Sequence, residues 1–418
     1  MRKLVKRAGS LLLASTLLLG GCGAAGTDST QSGSGAEPTN ASGNVTLRVW
    51  GADQDADLLA KISQDFQAQY PDVQFDIQIE AMAESDCKDN ILSDINNAPD
   101  VFTFADDQLA ALAGAGVLEP VVNAEEIKGR NADSAVSAAS INDTLYAYPL
   151  TADNGYFMFY NKAYFTDADL ATLDGMLAVA SANGKKVTMD WGSGWYLYAF
   201  FGNTGLNIGL NEDGITNFCE WNSTSGSIKG VDVAQAMLDI AKNPGFLNGG
   251  DGALQEGAAN GSVIAGVSGV WSANAIEEAW GANYGAVKLP TYTCAGQQVQ
   301  LSSYAGYKMV GVNSYSPNAE WAAKFADFMS NEANQTLRFE MRAQGPANKN
   351  AAASSAVAAS PAIQALISQS AYASLQRIGG TYWGPSGEFG TLMASGSTGG
   401  KPLQDIMDAM VEKIVAGN

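Results

Sequence analysis

Apolar and polar residues follow two different periods along the first part of the chain. Residues 45–50 (VTLRVW) have the composition of a strand, and residues 73–79 (VQFDIQI) alternate between apolar and polar side chains. Between them, residues 55–71 repeat apolar side chains at helical spacing and end in a proline. Strand, helix and strand in this order predict a βαβ unit, and therefore a parallel sheet.

Two further apolar segments predict more strands. Residues 98–108 (APDVFTFADDQ) read as a strand with acidic residues just past its end. Residues 144–165 predict two short strands separated by a break at Pro149. Alternating strands and helices place the chain in the α/β class.

Two helices are predicted in the last quarter of the chain. The segment SPNAEWAAKFADFMS predicts a helix with Ser316 as its N-cap and Pro317 in the first helical position. Residues 402–415 predict a final amphipathic helix. The Ala/Ser-rich residues 351–359 fit either a surface segment or a helix.

The segment SVIAGVSGVWSANAIEEAW contains two tryptophans in different settings. Its first half predicts a strand that ends at Trp271, and its second half predicts a helix with Asn274 and Glu277 spaced like a capping box. Trp280 falls on the apolar face of that helix, so we expect it in the core. Trp271 lies at the strand-to-helix turn, where ligands bind in open α/β sheets, so we expect it to face a cleft.

The N-terminus has the features of a secretory signal peptide. A basic start (MRKLVKR) precedes the apolar run LLLASTLLLGG, which is about half the roughly 20 residues needed to span a bilayer. We therefore predict a signal peptide over residues 1–21. LLGGC resembles a bacterial lipobox, which implies acylation of Cys22; an ordinary signal peptide with an incidental cysteine is the alternative. Residues 22–44 are rich in Gly, Ser and Thr and predict a flexible tether.

Charge and composition exclude several function classes. The net charge is −20, and residues 1–21 carry four basic and no acidic side chains, so their removal would leave −24. This balance argues against nucleic-acid binding. The chain has no histidine, which removes Ser-His-Asp and Cys-His catalysis. After Cys22 three cysteines remain, Cys87, Cys219 and Cys294, which match no metal or redox motif and leave open whether any two pair. The length beyond the tether predicts two domains.

Six segments, taken in order, resemble the maltose- and maltodextrin-binding proteins. They are LRVWGADQD, NAPDVFTFADDQLAALAGAGVLEPV, LYAYPLTADNGYFMFYNKAYF, SGVWSANAIEEAWGANYGAVKLPT, VGVNSYSPNAEWAAKFADFMSNEANQ and TYWGPSGEFGTLMASG. The chain thus resembles an extracellular solute-binding lipoprotein of an ABC sugar importer. No cofactor or metal is expected.

The resemblance implies a periplasmic-binding-protein-like fold with two lobes, a hinge and a ligand cleft between the lobes. The chain would cross between the lobes near residues 151–156, 303–311 and 344–351. The N-terminal lobe would comprise residues 45–151 and 310–345. The C-terminal lobe would comprise residues 152–309 and 346–418.

The resemblance also implies a set of ligand-binding residues: Asp53, Gln54, Phe104, Asp107, Asp153, Trp195, Trp271 and Trp383. The two tryptophans at 271 and 383 match sugar-stacking tryptophans of the family, and the one at 195 stands where the family has a stacking tyrosine. Three positions depart from the family pattern, because Gln54 replaces a lysine, Gln108 an arginine and Ser193 a glutamate. These departures leave the exact sugar open.

Several of these residues have a second interpretation from the sequence alone. Phe104 also fits the core of a strand, and Asp107 fits a solvated loop or a helix N-cap. Asp153 precedes Asn154 and Gly155, which are themselves a turn signal.

The function implied is the capture of malto-oligosaccharides, which are α-glucans, and their delivery to the membrane subunits of an ABC permease by hinge closure. We expect a monomer on the outer face of the bacterial cell membrane, held by its lipid anchor, and no enzyme. Binding of another oligosaccharide, a polyol or a polyamine remains an alternative, as do a surface glycoside hydrolase and a passive adhesin.

Overall fold

The computed structural model describes residues 43–416. The predicted signal peptide, Cys22 and all but the end of the predicted tether lie outside these residues. The strands are β1 (Asn44–Gly51), β2 (Gln74–Ala81), β3 (Val101–Ala105), β4 (Ser140–Ile141), β5 (Thr144–Leu145), β6 (Tyr148–Thr151), β7 (Phe157–Asn161), β8 (Lys186–Met189), β9 (Ile208–Leu210), β10 (Asn217–Cys219), β11 (Phe246–Asn248), β12 (Val263–Ser268), β13 (Tyr284–Val287), β14 (Thr291–Cys294), β15 (Gln297–Gln300), β16 (Ser303–Ala305), β17 (Lys308–Val312) and β18 (Ala373–Leu375).

Helices pack around these strands and connect most of them. They are α1 (Ala56–Gln69), α2 (Cys87–Ser93), α3 (Leu109–Gly114), α4 (Ala124–Arg130), α5 (Asp133–Ala138), α6 (Leu173–Ala182), α7 (Gly194–Phe201), α8 (Gly230–Ala241), α9 (Asp251–Asn260), α10 (Ala273–Trp280), α11 (Ala319–Met329), α12 (Glu332–Arg342), α13 (Lys349–Ala352), α14 (Ser355–Ala359), α15 (Pro361–Ser370), α16 (Trp383–Ala394) and α17 (Leu403–Val415).

The first of two five-stranded sheets has the order β2-β1-β3-β17-β6. β1 pairs in parallel with β2 and β3, so the predicted βαβ unit is confirmed. β17 comes much later in the chain and pairs antiparallel with β3 and β6. All five residues of β3 are buried, because β1 and β17 flank this central strand and helices α2 and α11 pack against it. Phe66 of α1 packs edge-on against Phe325 of α11, with ring centroids 5.1 Å apart.

The second five-stranded sheet has the order β11-β8-β12-β7-β13. β8 pairs in parallel with β11 and β12, whereas β7 runs antiparallel to β12 and β13. Helices α6 to α10 and α14 to α17 pack around this sheet. The two sheets and their surrounding helices confirm the predicted α/β class.

The chain passes between the two sheets at three places that lie side by side. We call residues 152–156, between β6 and β7, the first crossing, and residues 303–307, which include β16, the second crossing. The third crossing is residues 343–348, between α12 and α13. The backbone amide of Ala152 donates to Gly345 of the third crossing (2.9 Å), and that of Asn154 donates to Gly306 of the second (3.2 Å). The crossings therefore form one hydrogen-bonded hinge region.

Some local predictions were wrong. Pro149 lies inside β6 rather than in a break between strands. Helix α11 begins at Ala319 after the N-cap Asn318, not at Pro317. The hydroxyl of Ser316 instead donates to the Asp100 carboxylate (2.5 Å), and this bond fixes the loop against β3.

The capping box predicted for α10 is also absent. Its N-cap is Ser272, and the side chain of Asn274 donates to the carbonyl of Met341 (3.0 Å) at the end of α12. Trp280 is buried, as expected.

The described residues hold the cysteines Cys87, Cys219 and Cys294 as free thiols. Within residues 43–416, each helix is too short or too polar to cross a membrane. The same residues contain no cluster of three or more His, Cys, Asp or Glu side chains that could hold a metal ion.

Candidate functional site

A cavity of about 740 Å³ lies between the two sheets. Its size falls in the usual range of ligand sites, about 300–1,000 Å³. The first sheet and its helices contribute acidic, amide and lysine side chains to the wall, and the second contributes tryptophans. The lining residues include Asp53, Gln54, Glu84, Lys88, Asp107, Gln108, Trp195, Asp251, Trp271, Lys308 and Trp383.

Three tryptophans line this cavity, and each stands where a helix begins. Trp195 is in the first turn of α7, Trp383 is the first residue of α16, and Trp271 is in the short 3-10 turn Val270–Ser272 between β12 and α10. All three side chains are half-buried, so part of each indole faces the cavity. The structure therefore brings together the three aromatic residues that the sequence predicted.

The indole of Trp271 is fixed on two sides. Its Nε1 donates to the Asp251 carboxylate (2.8 Å), which also accepts from the hydroxyls of Tyr196 (3.0 Å) and Ser268 (2.7 Å). The ring lies directly over Gly269, where a Cβ would come within 2.2 Å of the indole. Glycine at 269 is therefore required for this ring position.

The other two tryptophans pack on buried tyrosines. Trp195 is stacked on Tyr304, with centroids 5.4 Å apart, and Tyr156 meets it edge-on at 5.5 Å. Trp383 packs edge-on against Tyr382 at 4.9 Å. Aromatic neighbours in these geometries restrict how an indole can rotate.

The opposite wall carries the predicted polar residues. Asp53 and Gln54 are exposed to the cavity, and the Gln54 side-chain oxygen accepts from Arg342 (3.1 Å). Asp107 is deeper, and its buried Oδ1 has no hydrogen-bond partner among the described residues. Burial, followed by the nearby Asp106 carboxylate, raises the pKa of Asp107 to about 7. Asp107 lines the cavity, so its carboxylate can accept hydrogen bonds from ligand hydroxyls when it is ionised.

One lysine lies between the two walls. Lys308, the first residue of β17, places its Nζ 3.3 Å from Oε1 of Glu84 in the first-sheet wall. The same Nζ is 5.7 Å from the ring centroid of Trp271 in the second-sheet wall. The pair with Glu84 is largely buried, so the ammonium has a compensating charge beside it.

Two of the predicted ligand-binding residues, Phe104 and Asp153, do not line this cavity. Phe104 is fully buried in β3, where it packs against Phe102 with centroids 5.6 Å apart. Asp153 is buried in the first crossing, and its carboxylate accepts from the backbone amide of Gly345. Burial raises its pKa, while the charge of Lys308 acts in the opposite direction. Phe104 belongs to the core, and Asp153 joins two crossings.

Sequence reasoning missed other lining residues. Asp251 is the first residue of α9 and follows two glycines. An acidic residue at the start of a helix was the only feature of the sequence that could have indicated it. Glu84 and Lys308 had no motif. Gln108, noted as a departure, uses its amide to hold the chain before α2: it donates to the carbonyl of Glu84 (2.6 Å) and accepts from the amide of Lys88 (2.9 Å).

A family model described as "Bacterial extracellular solute-binding protein" matches residues 61–365, which is most of the chain. The chain belongs to this family. The prediction that the chain is an extracellular solute-binding protein is therefore confirmed. The family is a class of transport proteins rather than of enzymes.

Two curated relatives and one solved structure illustrate the similarity. A galactooligosaccharide-binding protein of Bacillus subtilis is 28% identical over 289 residues, covering 66% of each chain. A maltooligosaccharide ABC transporter solute-binding lipoprotein of Streptococcus pneumoniae is 26% identical over 267 residues, covering 61% of each. The match thus spans just under two thirds of these relatives. A solved structure with acarbose is 29% identical, covers 89% of this chain and 99% of its own, and has a TM-score of 0.79.

The likeness to that solved structure extends over nearly the whole of both chains. Together with the two sheets, the three crossings and the intervening cavity, it confirms the predicted fold of this extracellular solute-binding protein.

Proposed function

We propose that this protein captures malto-oligosaccharides in the cavity between its two sheets and delivers them to an ABC permease. The observation that carries the proposal is that Trp195, Trp271 and Trp383 line one cavity opposite Asp53 and Asp107. A glucosyl unit has apolar C–H faces and a belt of hydroxyls. The indoles offer flat surfaces for the faces, and the carboxylates accept hydrogen bonds from the hydroxyls.

The expected affinity follows from these contacts. Each aromatic side chain offers about 150–250 Å² of surface, and a hydrogen bond to a carboxylate contributes about 1.5–3 kcal/mol. After the entropic costs of association, three indoles and two or three acids support a dissociation constant in the micromolar range, about −8 kcal/mol. An importer must also release its ligand, which is compatible with this range.

A galacto-oligosaccharide is the second candidate ligand. The relative from Bacillus subtilis is named for that sugar, and the neutral Gln54 leaves the cavity with fewer charged contacts than the maltose branch of the family. We propose that the protein has no enzymatic activity. Incubation with maltotetraose should leave the sugar intact, and the appearance of shorter products would contradict this part of the proposal.

The lobe boundaries and the closing motion are part of the proposal. We assign residues 45–151 and 310–345 to one lobe, and residues 152–309 and 346–418 to the other. Ligand bound to one wall completes its contacts when the other wall approaches, so it shifts the hinge toward the closed form. Small-angle scattering should show a smaller radius of gyration with the bound sugar, and an unchanged radius would contradict hinge closure.

We further propose that a signal peptide over residues 1–21 is removed and that Cys22 is acylated. Residues 22–44 would then tether a monomer to the outer face of the bacterial membrane. The relative from Streptococcus pneumoniae, which is named a lipoprotein, supports this. Metabolic labelling with an alkynyl palmitate should mark the wild-type protein but not Cys22→Ala, and labelling of both would contradict the anchor site.

Isothermal titration with maltotetraose, a galacto-oligosaccharide and raffinose tests the ligand assignment. We expect maltotetraose to bind with micromolar affinity and the others more weakly. Trp383→Leu should weaken binding at least tenfold, whereas Trp321→Leu, a half-buried indole outside the cavity, should not. Tighter binding of the galacto-oligosaccharide would favour the second candidate, and no heat with any sugar would overturn the proposal.

A further inference from the structure

The indole of Trp195 is enclosed by two tyrosines that belong to different crossings. Tyr156 is the last residue of the first crossing and meets the indole edge-on, with centroids 5.5 Å apart and planes at 65°. Tyr304 is in β16 of the second crossing and stacks on the indole at 5.4 Å and 29°. The side of Trp195 that faces away from the cavity therefore rests on two of the three segments that join the sheets.

Both tyrosines act through their rings. Tyr156 is 0% and Tyr304 3% exposed, and neither hydroxyl makes a hydrogen bond of normal geometry to the described residues. A buried hydroxyl without a partner gives no stability, so phenylalanine would serve equally well as packing. What remains of each residue's contribution is aromatic surface. Tyr156 shares it between Trp195 and Tyr196, and Tyr304 shares it between Trp195 and the rings of Tyr198, Tyr382 and Trp383.

A second ring of α7 also contacts the second crossing. Tyr198 stacks on Tyr304, with centroids 4.0 Å apart and planes at 17°. Its hydroxyl donates to Ser374 of β18 (2.9 Å), and β18 pairs with β16. Trp195 and Tyr198 of α7 thus both stack on Tyr304 of a hinge strand.

We propose that Tyr156 and Tyr304 are positioning residues that set the orientation of the Trp195 indole according to the conformation of the first and second crossings. A change of backbone angle in either crossing moves a ring against the indole. Because the contact is reciprocal, a ligand that selects one indole orientation also favours one arrangement of the crossings. The statement about ligand rests on the function proposed above; the statement about the indole does not.

The ligand-free arm of the test uses fluorine NMR of residues 43–416, labelled with 5-fluorotryptophan. The chain has eight tryptophans, and Trp195→Phe assigns the resonance of interest. We expect Tyr156→Leu and Tyr304→Leu to shift or broaden the Trp195 resonance, and the corresponding Phe variants to leave it in place. An unshifted, sharp resonance in both Leu variants would overturn the proposal.

Tyr284→Leu is the matched control. Tyr284 of β13 is also buried in the same half of the molecule, but it packs against Phe159 of β7, with centroids 6.0 Å apart, and not against α7. It should lose comparable packing and lower the melting temperature without moving the Trp195 resonance. A general loosening of the core would move it in all three Leu variants, and that result would also contradict positioning by the two crossings.

The binding arm measures maltotetraose affinity and dissociation rate in the same variants. We expect the Leu variants at 156 and 304 to raise the dissociation constant about tenfold, mainly through faster dissociation, and the Phe variants to stay within twofold of wild type. If Tyr304→Leu does not fold, Tyr156→Leu decides alone. Wild-type affinity in all folded variants would overturn the coupling to ligand. If wild type binds no sugar, the proposed function fails and the NMR arm still decides the indole's positioning.

Discussion

Replacing Asp107 by asparagine should make the protein more stable at alkaline pH while making it a weaker binder. Burial and the Asp106 carboxylate raise the pKa of Asp107 to about 7, from 3.8 for an ordinary aspartate. The Asp107 carboxyl therefore binds its proton more tightly in the folded protein than in the unfolded chain. Stability from this group is fully present below pH 3.8 and is lost progressively as the pH rises to about 7.

The size of the effect follows from the difference between a pKa of about 7 in the folded protein and 3.8 for an ordinary aspartate. Since a tenfold change in the ionisation constant corresponds to about 1.4 kcal/mol, ionising Asp107 in the folded state costs at most about 4 kcal/mol. Local relaxation around the ionised carboxylate relieves part of this cost. We therefore expect Asp107→Asn to raise the free energy of unfolding by about 2–3 kcal/mol at pH 8, and by less than half of that at pH 5.

Urea denaturation at both pH values, followed by tryptophan fluorescence, measures this difference. Asp53→Asn is the matched control, because it removes an acid from the same cavity at an exposed position. It should change the free energy of unfolding by less than about 0.5 kcal/mol at either pH. Equal stabilisation by Asp107→Asn at pH 5 and pH 8, or none at pH 8, would refute the argument from burial.

Other substitutions test the remaining polar contacts of the site and its support. The affinity for maltotetraose should rise severalfold from pH 5 to pH 8 in wild type, because ionised Asp107 accepts stronger hydrogen bonds, and titration calorimetry should find Asp107→Asn flat across that range. Asp251→Ala frees the Trp271 indole and should weaken binding about tenfold by the same assay; an unchanged affinity would contradict the orienting role of that hydrogen bond. Arg338 and Asp55 form a buried ion pair. Arg338→Met leaves the Asp55 carboxylate without its main partner, so it should lower the free energy of unfolding in urea by about 3–5 kcal/mol, and adding Asp55→Asn should restore part of this. A loss under about 1 kcal/mol would refute the argument.

Local patterns predicted the elements of the fold well where one face of an element is buried. The alternation in β2 and the helical spacing in α1 are such cases, and both elements formed as expected. The pairing of β17 between β3 and β6 is non-local, so no periodicity within the chain could indicate it. The helix α11 started late because Ser316 bonds to Asp100, which is distant in sequence.

The site was predicted only in part, because local patterns do not show which side chains meet after folding. Trp271 could be predicted because it lies at a strand-to-helix turn, where ligands bind in open α/β sheets. Phe104 and Asp107 lie three residues apart in one segment, yet only Asp107 lines the cavity. Phe104 is inside the buried strand β3, whereas Asp107 is in the 3-10 turn Asp106–Gln108 that follows it. Asp251 became visible only once folding placed it beside Trp271.

The position of β17 has a consequence for how the chain acquires its structure. The first sheet lacks its inner strand until residue 312 has left the ribosome or the export channel, although its other strands end at residue 151. A fragment ending there exposes the edges of β3 and β6, which invites aggregation rather than independent folding. The first sheet therefore cannot be completed until most of the second half of the chain has been synthesised, so we expect folding to be late and nearly a single step.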